Sequence, residues 1–207
     1  MAKDRRLEER REKILDAASS VLRSKGYERT SVDEIVALSG GSKATVYKLF
    51  QNKEGILRAL LDRTTDRVIS ATEVAPEPET VDEFRELLRS RGYGLVANVL
   101  NEELMGLYSL AVETSHKTPS LGQLFFSAGP ERAQREFAEL LAKLHDKGLV
   151  ETPDPALASS FFSAMIVLNY HLTMSLNVTG APTEEEGKRF VEGAVEAFMK
   201  AFVPEKE

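Results

Sequence analysis

The sequence predicts an all-α protein, with a three-helix head at the amino terminus and a larger helical body behind it. Three observations carry this. From residue 80 onward apolar residues recur at helical spacing, with no strand alternation, internal repeat or low-complexity tract. Ser31 with Glu34, Thr80 with Glu83, and Thr183 with Glu186 each match the S/T-x-x-E capping box that opens a helix. The run Ser39-Gly40-Gly41-Ser42 separates two short helical segments, as the turn of a helix-turn-helix requires.

In chain order, a charge-rich arm over residues 3–13 leads into a helix with Ile14, Leu15, Ala18, Val21 and Leu22 on one face, ended by Gly26. Arg5, Arg6, Arg10 and Arg11 in the arm suit a minor groove or phosphate backbone. The interleaved Glu8, Glu9 and Glu12 suit a solvated face with intrahelical ion pairs equally well. Ser31 opens the next helix, carrying Ile35, Val36 and Leu38. Ser42 then caps a helix of Lys43, Ala44, Thr45, Val46, Tyr47, Lys48, Leu49 and Phe50. Val46 and Phe50, four apart, face inward. Lys43, Thr45, Tyr47 and Lys48 are left on the outer face or at the amino-terminal end, where a recognition helix meets the major groove and its flanking phosphates. Alone, Tyr47 is a packed amphipathic side chain and each lysine a solvated one; together with the capping serines and the Gly-Gly turn they read as a DNA-facing unit.

GYERTSVDEIVALSGGSKATVYKLFQNKEGIL resembles the amino-terminal DNA-binding domain of TetR-type transcriptional regulators, whose pattern runs G-Y, T-T/S, I-A, A-G-V-S, T-x-Y, F and K-E. The resemblance implies phosphate contacts from Thr30, Ser42, Tyr47 and Lys53, and groove contacts from Lys43, Ala44, Thr45 and Lys48. Gly41 stands where the family has a small apolar residue pinning the turn, so a looser turn is expected. Leu49 replaces an aromatic or histidine, which shifts base reading to Thr45 and Lys48. The implied organisation is a DNA-binding domain over 1–51, a connecting helix over 52–75, and an effector-binding and dimerisation domain over 76–207.

Asn52 caps the connecting helix, with Lys53 and Glu54 in its first turn, Ile56, Leu57, Leu60 and Leu61 on its buried side, and an end near Ala71. Its first free N–H, with Lys53, suits a phosphate. Pro76-Glu77-Pro78 marks the boundary with the body. In the body, helices follow from Thr80, over 102–114, from Pro119 with an interruption at Gly129-Pro130, from Asp154-Pro155, and from Thr183 to Phe202.

The last helix has a broad apolar surface. Phe190, Ala194, Ala197, Phe198 and Ala201 form either a core face or a two-fold interface, and the family resemblance implies a homodimer presenting two recognition helices to one palindromic operator on double-stranded DNA. Phe84, Leu88, Leu104, Tyr108, Phe125, Phe126 and Met165, with Asn169, Tyr170 and His171 as polar groups, suit an apolar cavity or an ordinary core. The resemblance implies a cavity for a small-molecule effector, and hence a repressor that it releases. The alternative is a helical regulator or adaptor controlled by a protein partner with no small-molecule effector.

Composition sets the limits. The net charge is −6, but residues 1–63 hold 14 Lys and Arg against 10 Asp and Glu, and the remainder 13 against 23. A basic head on an acidic body confines nucleic acid to the head and makes binding salt-dependent. There is no cysteine. His116, His145 and His171 fall in no metal-ligand spacing, and no G-x-S-x-G or phosphate loop is present. No enzyme, metal or cofactor is expected. Nor is a run apolar enough to span a bilayer or a signal peptide, so a cytoplasmic protein without a membrane partner is the expectation.

Overall fold

The computed structural model describes residues 2–73, 77–100 and 102–204. Pro76 of the expected boundary lies outside them. Ten helices run through the described residues, and no strand interrupts them: α1 (Ala2–Arg29), α2 (Val32–Ser39), α3 (Lys43–Phe50), α4 (Lys53–Glu73), α5 (Val81–Val99), α6 (Glu102–Ser115), α7 (Pro119–Ala128), α8 (Pro130–Asp146), α9 (Pro155–Ser175) and α10 (Glu184–Phe202).

All three expected capping boxes form, at Ser31, Thr80 and Thr183. Asn52 Oδ1 accepts from Gly55 N at 2.8 Å, and Asp154 Oδ1 from Leu157 N at 3.0 Å. Gly26 breaks α1 at φ 77°, ψ 168°, with helix resuming to Arg29. Each of these devices reaches no further than a few residues along the chain, so the sequence placed the ends well.

The chain divides into two compact units. The first comprises residues 1–63 and 106–128; the second comprises 64–105 and 129–207. These do not follow the expected cut at 51 and 75, because segment 106–128 belongs with the head: Leu110 lies against Gly26, and Arg23 against Gly106. The core of the first unit includes Ile14, Leu15, Ala18 and Leu22 of α1, Ile35 of α2, Val46 and Phe50 of α3, and Ile56, Leu57, Leu60 and Leu61 of α4.

In the second unit α10 packs on α5 and α9, and α8 on α9. Its core is aromatic. Phe198 is fully buried, with the rings of Phe84 (6.3 Å), Phe137 (6.3 Å), Phe162 (5.4 Å) and Phe202 (4.6 Å) around it. Such a hub combines large apolar burial with edge-to-face ring contacts.

One expectation fails here. The 21-residue α9 is long and apolar enough, by length and composition, to cross a bilayer. The reason is that α9 is apolar on two sides. Ala158, Phe162, Ile166 and Tyr170 enter the core, while Leu157, Phe161, Met165, Leu168, Leu172 and Leu176 form a second stripe on the outside.

Candidate nucleic-acid interface

The local geometry of the interface begins with two caps. Ser31 Oγ accepts from Glu34 N (3.3 Å) and Glu34 Oε2 from Ser31 N (3.1 Å), so α2 starts with two backbone N–H groups satisfied reciprocally. Lys25 donates to the other Glu34 oxygen, and together with the cap holds that carboxyl below the usual carboxylate range. Ser42 Oγ accepts from Thr45 N (3.3 Å) to open α3. Val46 and Phe50 anchor α3 inward, as their spacing predicts, and Lys43, Ala44, Tyr47 and Lys48 are exposed, Tyr47 at 44%. Thr45 is half-buried, its hydroxyl 3.0 Å from Ser42 Oγ.

The turn before α3 is not loose. Gly40 and Gly41 both have positive φ, 70° and 92°. Arg10 of α1 crosses to donate from Nη1 to Ser39 O at 2.7 Å and from Nη2 to Ser39 Oγ at 3.4 Å. A Cβ on Gly41 would lie 2.3 Å from that guanidinium, so the missing side chain makes room for the clamp. This corrects the expectation drawn from Gly41: a long-range arginine replaces the small apolar pin. Sequence reasoning placed Arg10 in a DNA-contacting arm or on a solvated face. Its only local signal was a position one turn ahead of Ile14 on the buried side of α1.

Two other expected phosphate contacts are committed within the head. Thr30 is 3% exposed, and its Oγ1 donates to Gly26 O at 2.7 Å. That side chain frames the α1–α2 junction and is not presented to solvent, which corrects the reading of Thr30. Lys53 Nζ donates to Tyr27 O (2.8 Å) and Thr30 O (3.1 Å) while lying 4.3 Å over the Tyr27 ring. Burial, with Glu54 and Glu28 nearby, pushes the Tyr27 phenol up to about 12. Gly55, one residue into the first turn beyond Glu54, is unreplaceable for a different reason. A Cβ there would meet Phe50 O at 1.9 Å, so α4 starts tight against the end of α3.

Charge on the face is partly masked. Lys43 Nζ pairs with Asp33 Oδ1 at 2.7 Å, and that hydrogen bond raises the lysine pKa. Arg5 pairs with Glu9 at 3.4 Å, and Arg11 with Glu8 (3.5 Å) and Glu12 (3.2 Å), as the solvated-face reading of the arm expects.

The body residues expected to line one cavity are dispersed. Phe84 and Leu88 are core side chains of the second unit. Tyr108 and Phe125 pair in the first unit at 5.8 Å, and Phe126 is exposed. Leu104 is half-buried; Met165 and Asn169 lie on the outer side of α9. Helical spacing identified the apolar faces without distinguishing what each face meets. Of the expected interface residues, Ala194 and Phe198 point into the protomer's own core, so they are corrected to core residues. Phe190 is half-buried, its ring 5.0 Å from Tyr170, and Ala197 and Ala201 are exposed.

Comparison with known proteins covers both units. Residues 14–60 match the family model for bacterial regulatory proteins of the tetR family, and residues 86–204 match that for the AefR-like transcriptional repressor C-terminal domain. The chain is 27% identical over 157 residues to the HTH-type transcriptional regulator YvkB of Bacillus subtilis (strain 168), covering 74% of this chain and 77% of that one. A putative TetR-family regulator from Mesorhizobium loti superposes with a TM-score of 0.77 at 29% identity, covering 96% of this chain and 99% of that one. The flavonoid-responsive regulator FrrA superposes with a TM-score of 0.71 at 25% identity, covering 96% and 100% respectively.

Proposed function

The chain belongs to the TetR family of bacterial transcriptional regulators, and from that premise we propose that it is a homodimeric repressor released from a palindromic operator by a small, largely apolar effector. DNA binding and regulation, with no enzymatic activity, come with the family. The observation carrying the finer reading is the Ser42-capped α3, which leaves Lys43, Tyr47 and Lys48 exposed on a basic head while Val46 and Phe50 hold it from behind.

The dimer is supported by α9. Leu157, Phe161, Leu168, Leu172 and Leu176 form a continuous exposed apolar stripe, with Leu168 at 66%. Such a stripe marks an interaction surface, and a second copy of this chain is the partner that a palindromic operator demands. Phe190, Ala197 and Ala201 of α10 join it; small residues let helices approach closely. The partners are therefore a second copy, double-stranded DNA and an effector, and the compartment is the cytoplasm.

Repression by release requires the effector to bind the DNA-incompetent state more tightly. A ~100-fold release corresponds to roughly 2.7 kcal/mol of such preference. Selection from a pool of genomic fragments tests the DNA reading: a palindromic site bound with a steep salt dependence is expected, and failure to select one would overturn it. Effector affinity measured with and without the operator tests the release step, and equal affinities would sink it.

A further inference from the structure

The stripe of α5 that builds the aromatic core runs Phe84, Leu87, Leu88, Arg91 and Leu95. A guanidinium therefore stands where the periodicity calls for an apolar side chain. Arg91 is 3% exposed. Its Nη2 donates to Ala133 O of α8 at 2.6 Å, and its guanidinium carbon lies 4.3 Å over the Phe137 ring. Its Nε is buried without a hydrogen-bond partner. Among the described residues none of its contacts is a carboxylate at ion-pair distance. The nearest acidic influence is Glu136, whose Oε1 accepts from Arg132 Nε at 3.1 Å. Burial pulls the Arg91 pKa down to about 10, which still leaves it charged at neutral pH.

A buried cation without a counter-charge destabilises a fold, and an unmet N–H adds to that. A methionine or leucine would fill the same stripe without either penalty. We propose that Arg91 is the anchor of the effector site, taking the carboxylate of an amphiphilic acid whose apolar body lies along the second unit's core. The proposal rests on the ligand-responsive reading above and names its ligand class. A guanidinium presents Nε–H and Nη–H as a fork that matches a carboxylate in two parallel bonds. A monoanion suits the surroundings better than a phosphate dianion, because desolvation of the second charge is not matched by a second cation. Bound there, the carboxylate meets the Arg91 charge beside Ala133. The preceding residue of α8, Arg132, holds Asp66 of α4 at 2.8 Å, so occupancy is one ion pair away from the helix that leads out of the head.

The test is thermal unfolding of the full chain without DNA, with octanoate, octanamide and octyl phosphate as probes. Octanoate at a hundredfold above its dissociation constant is expected to raise Tm by about 5 °C or more, and octanamide not to. Arg91→Met, which keeps the stem over Phe137, should lose that rise while its ligand-free Tm stays level or increases. Arg91→Gln is the second uncharged variant should the first misfold. Wild-type protein indifferent to octanoate, variants responding as wild type does, or octyl phosphate outperforming octanoate would each overturn the assignment. Since no DNA is present, failure to select an operator strikes the repressor reading alone, and a wild-type protein indifferent to octanoate, or variants that respond as it does, strike Arg91 alone.

Discussion

The two units are held together by different chemistry. The second is organised on an aromatic hub, Phe198 among Phe84, Phe137, Phe162 and Phe202, with ion pairs such as Arg89 to Glu192 (3.0 Å) at its surface. The first has a mainly aliphatic core and adds cationic side chains that reach backbone carbonyls: Arg10 to Ser39, and Lys53 to Tyr27 and Thr30. Arg63 adds ion pairs to Glu12 (3.0 Å) and Asp16 (2.8 Å) of α1. A hydrophobic hub tolerates small shifts of its members. Directional polar bonds fix orientation, which is what a helix presented to a DNA groove needs.

The largest expected effect lies in the hub. Phe198→Ala should destabilise the second unit by about 3–5 kcal/mol, read as a lower urea midpoint. Leu168→Glu on the outer stripe of α9 should leave that midpoint almost unchanged but give monomers by sedimentation. A large stability loss from Leu168→Glu would show that the stripe is core and not an interface.

In the first unit, Lys53→Met removes the side-chain donor to the Thr30 carbonyl and leaves that of Tyr27 with the Thr30 N–H alone (3.2 Å), and should destabilise the head by about 1–3 kcal/mol. Hydrogen exchange over α2 to α4 should quicken while the second unit stays protected. Gly41→Ala combines positive-φ strain of about 1–2 kcal/mol with expulsion of the Arg10 guanidinium. DNA affinity should fall roughly tenfold, and in an Arg10→Ala background the same substitution should do less harm. Strict additivity of the two would remove the clamp.

The caps respond to pH. The Glu34 carboxyl is held below its ordinary value by Lys25 and the Ser31 backbone, and that of Glu186 by the Thr183 backbone and hydroxyl. A depressed folded pKa means the contribution is fully present above about 4.5 and is lost as pH falls through the folded value. The amino-terminal ends of α2 and α10 should therefore fray in that acid window; exchange rates that stay flat there would refute it. Smallest of all, Lys43→Ala should flatten the salt dependence of DNA binding by ~1. Asp33→Asn, by freeing Lys43, should tighten binding a few-fold.

What the sequence settled is what lies within one helical turn. Capping boxes, the Asn52 and Asp154 caps, glycine breaks and the inward faces of α1 and α3 are all set by bonds or spacings of three or four residues, so the all-α class and the capped helix starts were legible without coordinates. The outward placement of Lys43, Tyr47 and Lys48 followed from Val46 and Phe50 in the same way. Partners across the fold were not. Arg10 meets Ser39 across 29 residues and Lys53 meets Tyr27 across 26, and periodicity says only which residues share a face, not what that face meets. For the same reason Phe198 and Leu168 read alike in the sequence as apolar helical positions. Packing of α10 on α5 and α9 buries the first completely, while the second is left on the outer side of α9, the face turned away from that core.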